Sequence, residues 1–130
     1  MSKDLLLKVF EKAKQKHQMD DELVSYLDSI FPGKTPDVIE VMKRGVTKYI
    51  CNPSNRIVWT AMGLNQEHLI YPRLFCSCQD FYKSVVIQGK RSFCKHLLAQ
   101  AISEGFKKYN EVLLEDSKLQ DIVKDLKLNI

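Results

Sequence analysis

The chain has 130 residues, of which 45% are hydrophobic and 28% are charged, and its formal net charge is +4. This length suits one domain with a real core, and the composition excludes a disordered or low-complexity protein. Its uncharged apolar runs are far shorter than the ~20 residues of a membrane span, and its charged amino terminus is unlike a secretory signal. We therefore expect an intracellular protein with no membrane segment. In a reducing compartment, clustered cysteines hold metal or do chemistry more often than they form disulfides.

The amino-terminal region, residues 1–44, is predicted to be helical. Apolar residues recur at helical spacing in LLLKVFEKA, with charged residues on the opposite face. A second helix should begin near Asp20 and stop at Pro32, and Thr35-Pro36 supplies an N-cap and a first-turn proline for a short third helix through Met42. We interpret these apolar stripes mainly as core, with the first helix as a candidate partner-binding face.

From Gly45 the hydrophobic period changes to that of strands. The runs VTKYIC, RIVWTAM and HLIYPRL are rich in β-branched and aromatic residues and are separated by turn sequences. They predict a three-stranded antiparallel meander. Pro72 cannot donate a backbone hydrogen bond, so the third strand should lie at an edge or break there. Trp59 is expected to be a core aromatic of the middle strand.

Three of the four cysteines and one histidine fall in the segment LFCSCQDFYKSVVIQGKRSFCKHLL. Thiolate and imidazole are preferred zinc ligands, and four of them complete a tetrahedral shell. Cys76 and Cys78 can point the same way from an extended segment. Cys94 and His96 would lie about 200° apart within a helix, so they can share an ion only across a helix start. We predict one structural zinc per chain, held by these four residues.

Other chemistry is less favoured for this cluster. A catalytic zinc keeps an open position, the C-x-C spacing differs from that of thioredoxin-type redox pairs, and no third group is apparent that could orient a Cys–His nucleophile. Plain packing remains the other alternative. Elsewhere, Cys51 is interpreted as a buried thiol, and His17 and His68 as surface or packing residues.

The 15 residues between the two ligand pairs carry further signals. Asp80 is a candidate acceptor of hydrogen bonds from the backbone or from a ligand residue, and Phe81 and Tyr82 are placed to cover the metal site. Val85, Val86 and Ile87 form either a short strand that joins the sheet, which we favour, or an exposed apolar patch for a partner.

After the cluster, Leu97, Leu98, Ala101, Ile102 and Phe106 predict a helix to about Tyr109. Residues 110–130 are predicted to be a helical tail with a capping box at Ser117-x-x-Gln120. The tail could dock on the domain or on a partner.

The motif Cys76-Ser-Cys78, then Cys94-Lys-His96-Leu-Leu-Ala, with Phe81 between the two halves, closely resembles the SWIM-type zinc finger. The stretches DELVSYLDSIF, SNRIVWTAMG, FCSCQDFYKSVV, FCKHLLAQAISE and EDSKLQDIV extend the likeness to the small SWIM-domain subunits of Shu complexes. The predicted fold is α+β, with the zinc pinning a strand end to a helix end. We expect a single domain, 1–130, that consists of the helical region at 1–44, a zinc-finger region with its strands at 45–109, and the tail at 110–130.

The resemblance also implies a function. Such subunits are nuclear accessory factors in homologous recombination that pair with a RecA-like recombinase paralogue. They promote assembly or stability of recombinase filaments on single-stranded DNA. The sequence itself shows no nucleotide-binding glycine loop and no carboxylate pair, which favours a non-catalytic subunit over an enzyme.

Two binding modes follow from the residues. In the first, apolar surface from the first helix or from the run Val85, Val86 and Ile87 contacts an ATPase-like protein partner. The alternative is a stand-alone finger that binds nucleic acid directly, because residues 76–108 hold six basic and two acidic side chains. The candidate phosphate contacts are Lys83, Lys90, Arg91, Lys95, Lys107 and Lys108.

Overall fold

The computed structural model describes residues 2–91 and 93–128, with side chains described for 4–91 and 93–122. Its helices are α1 (Ser2–Lys16), α2 (Asp21–Ile30), α3 (Thr35–Arg44), α4 (Lys95–Phe106) and α5 (Asp116–Leu128). Its strands are β1 (Val46–Asn52), β2 (Ile57–Met62), β3 (Glu67–Tyr71), β4 (Phe75–Cys76) and β5 (Asn110–Glu115). A π-helical segment spans Phe81–Ile87. The predicted α+β class is confirmed.

The helical amino-terminal region follows the predicted order, with small differences at its ends. The Asp20 carboxylate accepts a hydrogen bond from the Leu23 N–H at 2.9 Å and caps α2, which ends before Pro32. Thr35 is the first residue of α3 and not its cap, and the helix continues two residues past Met42 to Arg44.

The sheet has five strands in the order β4-β3-β2-β1-β5. Strands β1 to β4 pair antiparallel in sequence, whereas β5 runs parallel to β1. The predicted meander is therefore present but incomplete, because sequence analysis missed β4 and β5. The third strand does end before Pro72, yet it is not an edge strand, since the chain turns at Arg73 and returns as β4.

The main core lies between α1, α3, α4 and one face of the sheet. Leu6, Val9 and Ala13 of α1 are fully buried, so the apolar face of this helix is used inside the protein and not for a partner. Helices α1 and α4 approach so closely that a Cβ at Gly105 would lie 2.7 Å from the Ala13 Cβ. Trp59 is buried in this core, as predicted.

The carboxyl-terminal region corrects the prediction of an entirely helical tail. Helix α4 ends at Phe106 because Lys107 adopts a left-handed conformation with φ 58°, and residues 110–115 then form β5. Helix α5 follows and packs against β1, β3 and β5. Leu69 and Cys51 are buried on the sheet face opposite Trp59. Helix α5 covers that face, and its Leu119 is buried there. The predicted buried thiol at Cys51 is confirmed, and burial raises its pKa.

The run Val85–Ile87 is not a strand, contrary to the favoured prediction. Ser84 donates to the Asp80 carboxylate at 3.1 Å, and the Gln88 N–H bonds the Lys83 carbonyl at 2.9 Å, so the chain winds into a π-helical turn. The side of β3 that a strand here could have joined is occupied by β4.

Candidate metal centre

The four predicted ligands come from two ends of regular structure. Cys76 is the last residue of β4, and Cys78 follows it in the exit loop. Cys94 is the N-cap of α4 with extended dihedrals (φ −123°, ψ 174°), and His96 is the second residue of the helix. The change from extended to helical backbone between Cys94 and His96 lets both side chains face the same point, as the spacing predicted.

These four side chains form a compact donor set. Their ligand atoms all lie within 4.8 Å of one another, every one of the residues is buried, and the cysteines are free thiols. The Cys94 Sγ is 3.9 Å from the His96 Nδ1. Zn–S bonds of about 2.3 Å set tetrahedral sulfurs about 3.8 Å apart, so this cluster needs little contraction to close on zinc. Three thiolates and one imidazole complete the shell.

The cysteines perturb each other's acidity because they lie so close together. Hydrogen bonds from the Cys76 and Cys94 thiols lower the pKa of Cys78, whereas the contact with Cys78 raises the pKa of Cys76. Burial raises the pKa of Cys94. A zinc ion supplies the positive charge that allows all three sulfurs to be thiolates at once.

Comparison with known proteins supports the same assignment. The chain is 26% identical over 124 residues to "Zinc finger SWIM domain-containing protein 7" of Mus musculus, which covers 92% of this chain and 80% of the relative. The Homo sapiens protein of that name is also 26% identical, with 92% and 87% covered. A Dictyostelium discoideum homologue is 28% identical over 120 residues, with 90% and 76% covered. No protein-family model and no solved structure matches the chain.

Over nearly its whole length the chain resembles SWIM-type zinc finger proteins. Zinc is its cofactor, and the cluster of Cys76, Cys78, Cys94 and His96 fits the ion by donor chemistry and by spacing. None of the helices in the described part of the chain is both long and apolar enough to cross a bilayer.

Backbone hydrogen bonds hold the first half of the SWIM finger to the sheet. Ser77, between the two cysteines, is buried: its N–H donates to the Leu69 carbonyl at 3.0 Å, and its hydroxyl accepts from the Leu69 N–H at 2.9 Å. The Phe81 N–H donates to the Cys78 sulfur at 3.3 Å. Such N–H···S bonds stabilise a thiolate and orient it toward its metal.

The aromatic cover of the SWIM finger differs in part from the prediction. Phe81 is buried and meets Phe75 edge to face, with ring centroids 5.5 Å apart. Tyr82 remains 50% exposed and does not enclose the cluster. The cover therefore consists of Phe81 together with Phe75, an aromatic from β4 that sequence reasoning missed.

Arg91 and Asp80 close the long loop of the SWIM finger. The guanidinium bonds both oxygens of Asp80, its Nε donates to the Phe93 carbonyl at 3.0 Å, and it stacks over the Phe31 ring at 5.0 Å. Asp80 was predicted to accept hydrogen bonds from the backbone or from a ligand residue, but the donors that the structure gives it are the side chains of Arg91 and Ser84. The candidate phosphate contact at Arg91 is already engaged within the protein.

His68 contributes to the surroundings of the zinc ligand His96, although its isolation in the sequence gave no sign of this. The two rings pack at an interplanar angle of 55° with their centroids 4.6 Å apart. Burial and the neighbouring His96 lower the pKa of His68, which keeps it neutral beside the ligand. The signal that could have identified it is its place two residues before Ile70, which alternation assigns to the core face of β3.

The structure separates the remaining candidate contacts. Lys83 and Lys90 are exposed on the loop of the finger, and Lys95 begins α4. Lys107 and Lys108 follow the other end of this 12-residue helix, about 18 Å away. The six basic residues thus form no continuous surface. Val86 and Ile87 are 59% and 63% exposed, while Val85 packs against the core.

Proposed function

We propose that this chain is the non-catalytic, zinc-binding subunit of a Shu-type complex. In this proposal it pairs with a RecA-like recombinase paralogue in the nucleus and promotes assembly or stability of recombinase filaments on single-stranded DNA. The likeness of the whole chain to SWIM-domain proteins supports the assignment, because the similarity spans the helical region and the sheet as well as the finger.

The observation that carries the proposal is an exposed apolar surface beside the zinc cluster. Val86, Ile87 and Tyr82 of the π-helical segment are each at least half exposed. Tyr71 and Leu74, on the turn that leads into β4, add to this surface, and Phe75 contacts both Tyr71 and Phe81. A cluster of large apolar side chains on a small protein is typical of a protein–protein interface.

The zinc gives this surface its shape. The π-helical segment begins three residues after Cys78, and Arg91 returns the chain to Cys94. The ion therefore fixes both ends of the loop that presents Val86 and Ile87. Four protein ligands leave no open coordination position, which supports a structural role for zinc and a non-enzymatic protein.

Co-expression with RecA-like recombinase paralogues from the same cell tests this function. We expect a stable complex with one of them, which the double substitution Val86→Asp/Ile87→Asp abolishes without loss of zinc. Leu64→Asp is the matched control, because Leu64 is 83% exposed on the turn between β2 and β3. Failure of the wild-type chain to bind any such paralogue would refute the proposal, and equal binding by the double variant would place the interface elsewhere.

Direct nucleic-acid binding is the second candidate function. It is supported by Lys83 and Lys90, two exposed cations on the loop of the finger. Removing two phosphate contacts lowers the slope of log affinity against log salt by about 1.4 for a single strand. We expect Lys83→Ala/Lys90→Ala to do so, while Lys107→Ala/Lys108→Ala removes equal charge at the far end of α4 with a smaller effect. Equal slopes for both variants would exclude a site on this loop.

A further inference from the structure

The outer edge of β5 lies at the opposite side of the sheet from the zinc cluster. Strand β5 pairs only with β1, so no described strand pairs with its other side. Alternate residues of an edge strand present unpaired N–H and C=O groups that can template another strand. With four strand spacings of about 4.8 Å between them, β4 and β5 are about 19 Å apart.

A row of apolar side chains extends across the sheet to this edge. Leu113 of β5 pairs in register with Ile50 of β1, which pairs with Ile57 of β2. Leu113 is 72% exposed and Ile57 is 53% exposed. Directly opposed side chains share one face of a sheet, so these residues form a continuous stripe that ends at the open edge. A neighbouring strand would extend this stripe and cover Leu113.

The charge along β5 defines what kind of strand would fit. Glu111, Leu113 and Glu115 alternate on one face, and segment 110–116 contains three acidic residues and no basic one. Lys48 of β1 lies opposite Glu111 in the register, but neither glutamate belongs to any ion pair among the described side chains. The acidic–apolar–acidic order reads the same in both directions, so it matches parallel and antiparallel strands alike.

A second copy of this chain matches the edge poorly. Antiparallel pairing that joins Leu113 to Leu113 of the second copy sets Glu111 opposite Glu115 twice. Like charges directly opposed across strands are destabilising. A strand with cations at those positions would replace two repulsions with two attractions.

We propose that the β5 edge binds an extended segment of a partner protein in which lysine or arginine flanks a central apolar residue on one face. The backbone of the segment adds a sixth strand to the sheet. Its central apolar side chain packs on Leu113, and its cations lie beside Glu111 and Glu115. This surface is separate from the Val86–Ile87 patch, so the protein could hold two partners at opposite edges.

The probe is the labelled peptide Thr-Lys-Val-Val-Val-Lys-Thr, titrated into the zinc-loaded chain. We expect saturable binding that weakens about tenfold in Leu113→Lys and in Glu111→Lys, with amide NMR shifts centred on residues 110–115. Val86→Asp/Ile87→Asp is the control variant and should bind like the wild type, so the result does not depend on the proposed function. Both β5 substitutions are at exposed positions, and zinc content with far-UV CD checks that each variant is folded.

Two altered peptides test the mode of binding. Replacing both lysines with glutamate should abolish binding, because the edge is acidic. N-methylation of alternate amides, in each of the two phases, should abolish it in one phase only, because only one set of N–H groups faces β5. Three results would overturn the proposal. They are no binding at about 1 mM peptide, equal binding of the lysine and glutamate peptides, and binding that N-methylation changes in neither phase. If the chain instead forms concentration-dependent dimers that Leu113→Lys dissociates, the occupant of the β5 edge is a second copy of this chain and not a basic segment.

Discussion

Arg91 donates hydrogen bonds to both carboxylate oxygens of Asp80, with its Nη2 at 2.8 and 2.6 Å. Asp80 lies two residues after Cys78, and Arg91 lies three residues before Cys94. This ion pair therefore joins the two halves of the ligand set at the base of the loop. The Arg91 guanidinium also lies over the ring of Phe31, the C-cap residue of α2, and this contact attaches the junction to the end of that helix. The bond from Arg91 to the Phe93 carbonyl holds the chain beside Cys94.

Arg91→Ala should therefore loosen the metal site. The carboxylate and the guanidinium are partly exposed, so we expect a modest loss of about 1–2 kcal/mol in the free energy of unfolding. The larger effect should be kinetic: zinc transfer to a chromophoric chelator should become several-fold faster, since the loop can open without breaking the ion pair. Arg91→Lys keeps the charge but lacks the planar guanidinium that bonds Asp80 and the Phe93 carbonyl together, so its zinc transfer rate should fall between those of the wild type and Arg91→Ala. Lys90→Ala is the neighbouring control, and a transfer rate equal to that of Arg91→Ala would contradict this role.

Zinc removal should abolish cooperative folding of the finger. The ligands are buried, and without the ion no bond holds the three sulfurs and the imidazole together in the interior. Binding free energy of a structural zinc is folding free energy, so His96→Ala should lose the metal and most of the cooperative transition. His17→Ala changes an exposed histidine and should retain one zinc per chain by elemental analysis and a sharp thermal transition. A metal-free chain that still unfolded in one sharp transition would show that zinc is not structural here.

The metal site was predictable from the sequence because its geometry is local. Cys76 and Cys78 lie two apart in extended chain, and Cys94 and His96 flank a helix start that the downstream apolar period locates by itself. To predict the geometry of each ligand pair, only the backbone conformation of three residues had to be known. The partner of each half could also be inferred, since four ligands close one shell.

The sheet was less predictable because its missing strands depend on distant pairings. Strand β5 lies beside β1, more than 50 residues earlier, and its sequence NEVLLE leads directly into α5. That helix begins at Asp116, so Ser117 lies within it and is not the N-cap that the predicted capping box requires. The exposed side chains of β5 give no alternation of buried and exposed positions. The roles of Arg91 and His68 were hidden for the same reason, since Phe31 and His96 meet them only in the folded chain.

Gly105→Ala should destabilise the docking of α1 on α4. A Cβ at this position would lie 2.7 Å from the Ala13 Cβ and 2.8 Å from the Phe10 carbonyl oxygen, and a backbone atom cannot rotate away. The helices would have to separate, which typically costs about 1–3 kcal/mol. Chemical unfolding of the zinc-loaded protein measures this loss.

Gly89→Ala provides the control for Gly105→Ala. An added Cβ there meets no atom within 4 Å, so the cost is limited to about 1–2 kcal/mol for its left-handed backbone at φ +62°. Combining Gly105→Ala with Ala13→Gly should recover part of the stability, because the shortest contact is removed. No recovery in the double variant would indicate that the contact with the Phe10 backbone dominates, and a neutral Gly105→Ala would contradict the close helix packing.

Tyr49 should give the protein an alkaline transition. Its hydroxyl donates to the Glu67 carboxylate at 2.9 Å, and Thr60 donates to the same oxygen at 3.1 Å. Burial and the hydrogen bond to Glu67 raise the pKa of Tyr49 to about 12. An unfolded tyrosine has a pKa of about 10. The stabilisation is therefore complete below about pH 10 and is lost as the pH rises toward about 12, because the unfolded chain ionises first.

The difference in unfolding free energy between the wild type and Tyr49→Phe isolates this effect. Measured by urea unfolding with excess zinc at about pH 8, 10 and 11, the advantage of the wild type should shrink steadily above about pH 10. Glu67→Gln removes the negative charge that helps hold the phenol neutral, so its own pH dependence in this window should be weaker than that of the wild type. The curves for the wild type and Tyr49→Phe could instead stay parallel up to about pH 11. Tyr49 would then ionise equally in the folded and unfolded chains. In that case the bond to Glu67 would contribute nothing to the pairing of β1, β2 and β3.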